Sequence, residues 1–118
     1  MKLHRVLLFT TIQMDITPVG EDLHVLLTGG DYHTLDCTAY STPIPDTDPA
    51  EADTMLLSCL EAPDPSFVPY VADKLCRLTG KNVLVTGGIY IDNPDQHQKD
   101  KLLENVDDII NDWINFYK

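Results

Sequence analysis

Apolar and polar positions alternate along residues 3–17, most clearly where Ile12, Met14 and Ile16 interleave with Gln13, Asp15 and Thr17. A period of two is that of a strand with one buried face. Residues 18–22, Pro-Val-Gly-Glu-Asp, predict a turn, and residues 23–29 the returning strand of an antiparallel hairpin. Residues 33–42, rich in Thr, Tyr and Cys, predict a further strand. The acidic, proline-rich stretch 43–49 interrupts it as the chain's mobile loop. Residues 50–62 fit either a strand or the end of a helix begun at Pro49; the stop at Ala62-Pro63-Asp64-Pro65 favours the strand. A helix follows, with Asp64 as cap, Pro65 as first residue and Phe67, Val71, Leu75 and Leu78 as its apolar stripe, closed by Gly80. Residues 82–87 predict a central strand, apolar on both faces. The last helix, residues 93–115, opens on Asn93 as cap and carries Leu102, Val106, Ile109 and Trp113 on one stripe, widened by Leu103, Ile110 and Tyr117. The order β-β-β-β-α-β-α is that of an α+β fold in which two helices pack a mostly antiparallel sheet. It has two layers, or three if the helices take opposite faces.

One phrase occurs twice. Val25-Leu26-Leu27-Thr28-Gly29-Gly30-Asp31-Tyr32-His33 returns as Val83-Leu84-Val85-Thr86-Gly87-Gly88-Ile89-Tyr90-Ile91. In each copy a strand-like run ends at Thr-Gly-Gly and a tyrosine follows one residue later. A glycine pair at a strand's end marks a bulge, a bend or the close approach of another backbone or a ligand. The flanking residues do not match, so the repeat is one of local construction and not of duplication.

Composition narrows the function. The chain's 118 residues suit one domain, and 43% apolar residues is too many for disorder. Nineteen acids against eight Lys and Arg give a net charge of −11, and between Arg5 and Lys74 there is no Lys or Arg among twelve Asp and Glu. Phosphate backbones and anionic membranes need basic contacts in number, so neither nucleic acid nor a membrane is expected as a partner. No apolar run reaches membrane-spanning length, and the short run 6–9 lacks the features of a secretion signal. Cys37, Cys59 and Cys76, odd in number and set in apolar patterns, read as reduced core thiols of a cytoplasmic protein.

Chemistry-bearing residues gather after the glycine pairs. Asp31, His33 and Asp36 follow the first; Asp92 and Asn93 follow the second. If both strand ends share one edge, these groups could converge to hold a basic side chain of a partner or a divalent cation. They could equally serve turns and a helix cap. No nucleophile elbow, phosphate loop or paired-histidine spacing is present, so no catalytic residue, resident metal or cofactor is assigned.

Laid out in this way, the chain resembles the prenylated-flavin chaperone-like family, the small accessory D subunits of gallate and hydroxybenzoate decarboxylase systems. The resemblance lies in residues 26–33 and 83–93, with weaker support across 67–78. It implies a fold similar to the proteasome-assembly chaperones and a non-catalytic accessory role in maturing a larger enzyme. That client would be a prenylated-flavin-dependent decarboxylase, docked through Gly29, Gly30, Asp31, His33, Gly88, Asp92 and Asn93. The chain departs from the family pattern at Thr34-Leu35, at Ala62-Pro63-Asp64-Pro65, and at Tyr90, where a histidine is common. Two other classes stay open: a homodimer that senses a small ligand or metal at the same strand ends, and an oligomerisation module acting through the last helix.

Overall fold

The computed structural model describes residues 1–31, 35, 37–58, 67–91 and 93–117. The alternation at the N-terminus produces two strands where the pattern suggested one: β1 (Lys2–Val6) and β2 (Thr11–Val19) pair antiparallel, with Val6 opposite Thr11. The break falls in Leu7-Leu8-Phe9-Thr10, closed by a hydrogen bond from the Leu7 amide to the Thr10 carbonyl. A turn at Gly20 and Glu21 leads into β3 (Asp22–Gly30), antiparallel to β2 as the hairpin pattern predicts.

The next hairpin is β4 (Cys37–Ile44) with β5 (Glu51–Ser58). Pro43 and Ile44 therefore belong to a strand, contrary to the expectation of a loop from residue 43. The connection is bonded to itself: Thr47 Oγ1 donates to the Ile44 carbonyl at 3.0 Å and accepts from the Glu51 amide at 3.0 Å. Proline is tolerated at Pro43 because the position lies near the end of the ladder. The strand reading of residues 50–62 holds for Glu51–Ser58.

Helix α1 (Phe67–Thr79) buries Val68, Val71, Ala72, Leu75 and Cys76, the spacing of one helical face. The expected stripe shared only Val71 and Leu75 with it. Phe67 is half-buried and Leu78 is 46% exposed, because the small Ala72 and Cys76 let the helix approach the sheet on their side. Asp64 and Pro65, the expected start, lie outside the described residues. The Gly80 amide closes the helix on the Cys76 carbonyl at 2.8 Å.

Strand β6 (Val83–Tyr90) then enters the middle of the sheet, parallel to β3 and antiparallel to β4, giving the order β1-β2-β3-β6-β4-β5. Helix α2 (Gln96–Tyr117) begins later than the pattern suggested. Asp95, not Asn93, is its cap: Asp95 Oδ1 accepts from the Gln98 amide at 2.7 Å, and Gln98 Oε1 accepts from the Asp95 amide at 3.0 Å. This reciprocal capping box satisfies two backbone donors that would otherwise lack a partner. Asn93 instead takes a left-handed turn with φ of 47°.

Helix α1 lies against β4, β5 and β6, α2 lies against β1 and β2, and the helices touch each other. Both thus occupy one face, which selects two layers over three. The core fills the space between: Ile12, Met14 and Ile16 of β2, Val25 and Leu27 of β3, Val83 and Val85 of β6, and the apolar stripes of both helices. Burying these side chains supplies the main driving force for the fold.

Candidate functional site at the ends of two parallel strands

Parallel pairing sets the ends of β3 and β6 side by side. Thr28 lies opposite Gly88, Gly29 opposite Ile89 and Gly30 opposite Tyr90, so the two glycine pairs share one end of the sheet with an offset of two residues. Gly29, Gly87 and Gly88 are buried, and their backbones are built into the fold.

Gly30, Gly87 and Gly88 all hold a positive φ, and at the first two a Cβ would also collide with backbone. Gly87 has φ of 105° and Gly30 has φ of 86°, where L side chains are strained. A Cβ on Gly87 would fall on the Leu27 carbonyl oxygen, and one on Gly30 on the Tyr90 carbonyl. The strands approach this closely because nothing projects between them. Gly88 instead leaves room for a side chain of its own strand. The Tyr90 ring folds back over it, and the Tyr90 hydroxyl donates to the Gly87 carbonyl at 3.1 Å. Tyr90 is 1% exposed, so the side chain that departs from the family pattern is an internal strut.

Two backbone amides at this end are also engaged. The Gly30 amide donates to Thr10 Oγ1 at 2.8 Å, tying β3 to the β1–β2 connection. The Asp31 amide donates to the Tyr90 carbonyl at 2.7 Å. Asp31 and Asn93 are exposed there. His33 and Asp92, the other expected contact residues, lie outside the described residues, as does Asp36. Among the described residues no group of three or more His, Cys, Asp or Glu is placed to hold a metal ion.

Beside the glycine ends lies a feature the pattern did not single out. Residues 6–9, whose neighbour Thr10 is bonded to Gly30, form one wall of a cleft of about 540 Å³ whose other wall is the first turns of α2. Leu7, Leu8 and Phe9 face His97, Gln98 and Lys101 across it. Leu8 is fully exposed and Val6 is 76% exposed. The available signal was the run Val6-Leu7-Leu8-Phe9, which fits a buried strand and, without Gly or Pro, does not announce a turn. An exposed apolar loop next to a polar helix start can take an apolar side chain of a partner and hold it with neighbouring polar groups.

Acid–base perturbation is concentrated elsewhere. Burial raises the Cys76 thiol, with Asp73 adding to the effect, so it stays protonated and unreactive. Cys37 is likewise buried, while Cys59 lies outside the described residues. Among the described residues, no helix is long and apolar enough to cross a membrane.

No curated protein matches the chain. A family model does: that of the prenylated flavin chaperone LpdD-like domain matches residues 9–118, all but the first eight positions. The two strand–Gly-Gly ends that carried the resemblance both fall within the match. The chain belongs to the prenylated flavin chaperone LpdD-like domain family, a family of chaperones.

Proposed function

We propose that this chain is a non-catalytic accessory chaperone that binds a prenylated-flavin-dependent (hydroxy)aryl decarboxylase and assists its maturation in the cytoplasm. The observation that carries the reading is the family match over residues 9–118. The paired ends of β3 and β6 are the docking surface, with Asp31, His33, Asp92 and Asn93 as polar contacts and the exposed loop at Leu8 as the apolar one. Gly29, Gly30 and Gly88 contribute by holding these strand ends in place. Cys37 and Cys76, both buried thiols, suit a reducing compartment.

Co-purification of the decarboxylase with tagged chain tests this, wild type against Asp31→Ala with His33→Ala. The double variant should lose about tenfold in affinity, roughly 1.4 kcal/mol, with its melting temperature nearly unchanged. Equal binding by both proteins would move the client contact elsewhere, and a large fall in melting temperature would assign the pair to the fold. The second reading, a small-ligand or metal sensor, draws on the cleft beside Leu8, whose volume is in the range of ordinary ligand sites. Flavin mononucleotide or a divalent cation should then raise the melting temperature by linkage.

A further inference from the structure

The sheet ends in two strands of opposite character. At one edge β1 is short, five residues, and carries Lys2, His4 and Arg5. Short length and basic side chains are common devices that keep a free edge from pairing with another chain. At the other edge β5 runs for eight residues without Lys, Arg, Pro or Gly. Its pairing with β4 is continuous from Glu51 to Ser58, with no bulge to turn the edge away. No described strand pairs with its outer side.

The second half of β5 has the residues of an interior strand. Thr54 Oγ1 donates to Asp73 Oδ1 of α1 at 3.3 Å, so alternation puts Leu56 on the helix side and Met55 and Leu57 on the open side. Consecutive apolar residues suit a strand inside a sheet, where β6 has Val83-Leu84-Val85. Here Met55 is 65% exposed, Leu56 49% and Leu57 75%. Helix α1 packs on β5 yet leaves Leu56 half open. The first half is acidic. Glu51 and Asp53 are exposed on the open side, and Asp46 and Asp48 are exposed in the adjoining turn. Arg77, which donates to the Ala50 carbonyl, is held by Asp73 on the helix side.

We infer that β5 accepts a seventh strand from a partner protein, an extended segment laid antiparallel, apolar in its first half and basic in its second. Alternate residues of an edge strand turn both N–H and C=O outward, so eight residues offer about eight hydrogen bonds to such a segment. Side chains set its direction. Its apolar residues fall beside Leu57, Leu56 and Met55, and its Lys or Arg beside Asp53 and Glu51, where like charges are disfavoured and opposite ones favoured. A second copy of this chain fits less well. Its own β5, laid antiparallel, brings acids beside apolar residues, and its β1 joins only head to tail, an arrangement that does not close. Strand β4 separates β5 from the ends of β3 and β6, and the inference does not rest on the proposed client.

Titration of the full chain with a fluorescein-labelled peptide, Thr-Val-Val-Val-Thr-Lys-Thr-Lys, tests this by anisotropy. The control has the same composition with its lysines moved to the second and fourth places, beside Leu57 and Met55, so that charge alone does not separate the two. The first peptide should bind about tenfold more tightly. Asp53→Lys, at an exposed position and with an unchanged far-ultraviolet circular dichroism spectrum, should weaken it severalfold, and glutamate at the peptide's sixth place should restore the loss. Amide hydrogen exchange across Glu51–Ser58 should slow when the peptide is added. Equal binding of peptide and control overturns the inference, as does full binding by Asp53→Lys. So does a complex in which the β5 amides gain no protection, since the peptide would then sit elsewhere or the edge would already be covered.

Discussion

A Cβ at Gly87 has nowhere to go, whereas one at Gly80 meets open space. Both residues have positive φ, of 105° and 70°. The comparison therefore separates backbone strain from steric exclusion. Gly80→Ala should cost about 1 kcal/mol, the penalty of a left-handed L residue. Gly87→Ala adds a collision with the Leu27 carbonyl between two central strands, and should cost on the order of 3 kcal/mol or more. Urea unfolding of the two variants reads the difference directly; equal losses would mean that β3 and β6 can part to admit a methyl group. Tyr90→Phe belongs to the same unit. Losing its hydroxyl removes a hydrogen bond from the buried Gly87 carbonyl and should cost about 1 kcal/mol. A stability loss far below that would separate the tyrosine from the glycine end.

The two helices are joined by a polar staple. Tyr70 Oη and Lys74 Nζ of α1 both donate to Asp107 Oδ1 of α2, at 2.6 and 2.7 Å. Burial, then the hydrogen bond and charge of Asp107, raise the Tyr70 phenol above its ordinary 10.0. Burial pulls Lys74 down, but Asp107 outweighs it and the ammonium ends above 10.5. Both folded values exceed the unfolded ones, so the staple's contribution is full below about pH 10 and is lost as pH rises through the raised values. Thermal melts from pH 8 to 11 should show a steeper alkaline loss for wild type than for Tyr70→Phe, which itself costs about 1 kcal/mol at neutral pH. Parallel curves would show that the phenol does not couple the helices. Such a staple is not legible in sequence, since Tyr70 and Asp107 are joined only by the packing of α1 on α2. Period and turn chemistry did reveal the hairpin of β2 and β3, the central β6 and the main stripe of α2, although Leu103 and Tyr117, expected to widen that stripe, are exposed and Ile114 is buried in their stead. They failed where a cue was missing or shared. Residues 7–10 turn without Gly or Pro, Asn93 and Asp95 are both plausible caps until Gln98 closes on one of them, and Phe67 competes in size with the smaller residues that α1 buries. The shared edge of the glycine pairs was legible from the repeat, whereas their burial and the cleft at Leu8 depend on the offset and the parallel pairing of β3 with β6.

At the scale of the whole molecule the dominant quantity is charge. Nineteen acids face eight Lys and Arg, and α2 alone carries Asp100, Glu104, Asp107, Asp108 and Asp112. Several cations answer them: Arg5 bonds Asp112 and lies near Asp108, tying β1 to α2, and Arg77 pairs with Asp73 at 2.7 Å. Partly exposed pairs of this kind contribute about 0–1 kcal/mol each and are weakened by salt. The repulsion among the excess acids acts over longer distances and is screened by the same salt, with a Debye length near 8 Å at physiological strength. The two effects oppose each other, and the numbers decide: acids exceed bases by more than two to one, so relief of repulsion prevails. Raising sodium chloride from low to physiological strength should stabilise the chain by about 1 kcal/mol, a rise of roughly 4 °C in melting temperature. Potassium chloride should act alike, which separates screening from the binding of a particular cation. Arg5→Ala should steepen the dependence, because it removes a cation from the most acidic helix and leaves more repulsion to screen. A melting temperature that falls with salt would reverse the sign and place the ion pairs at Arg5, Lys74 and Arg77 ahead of the net charge.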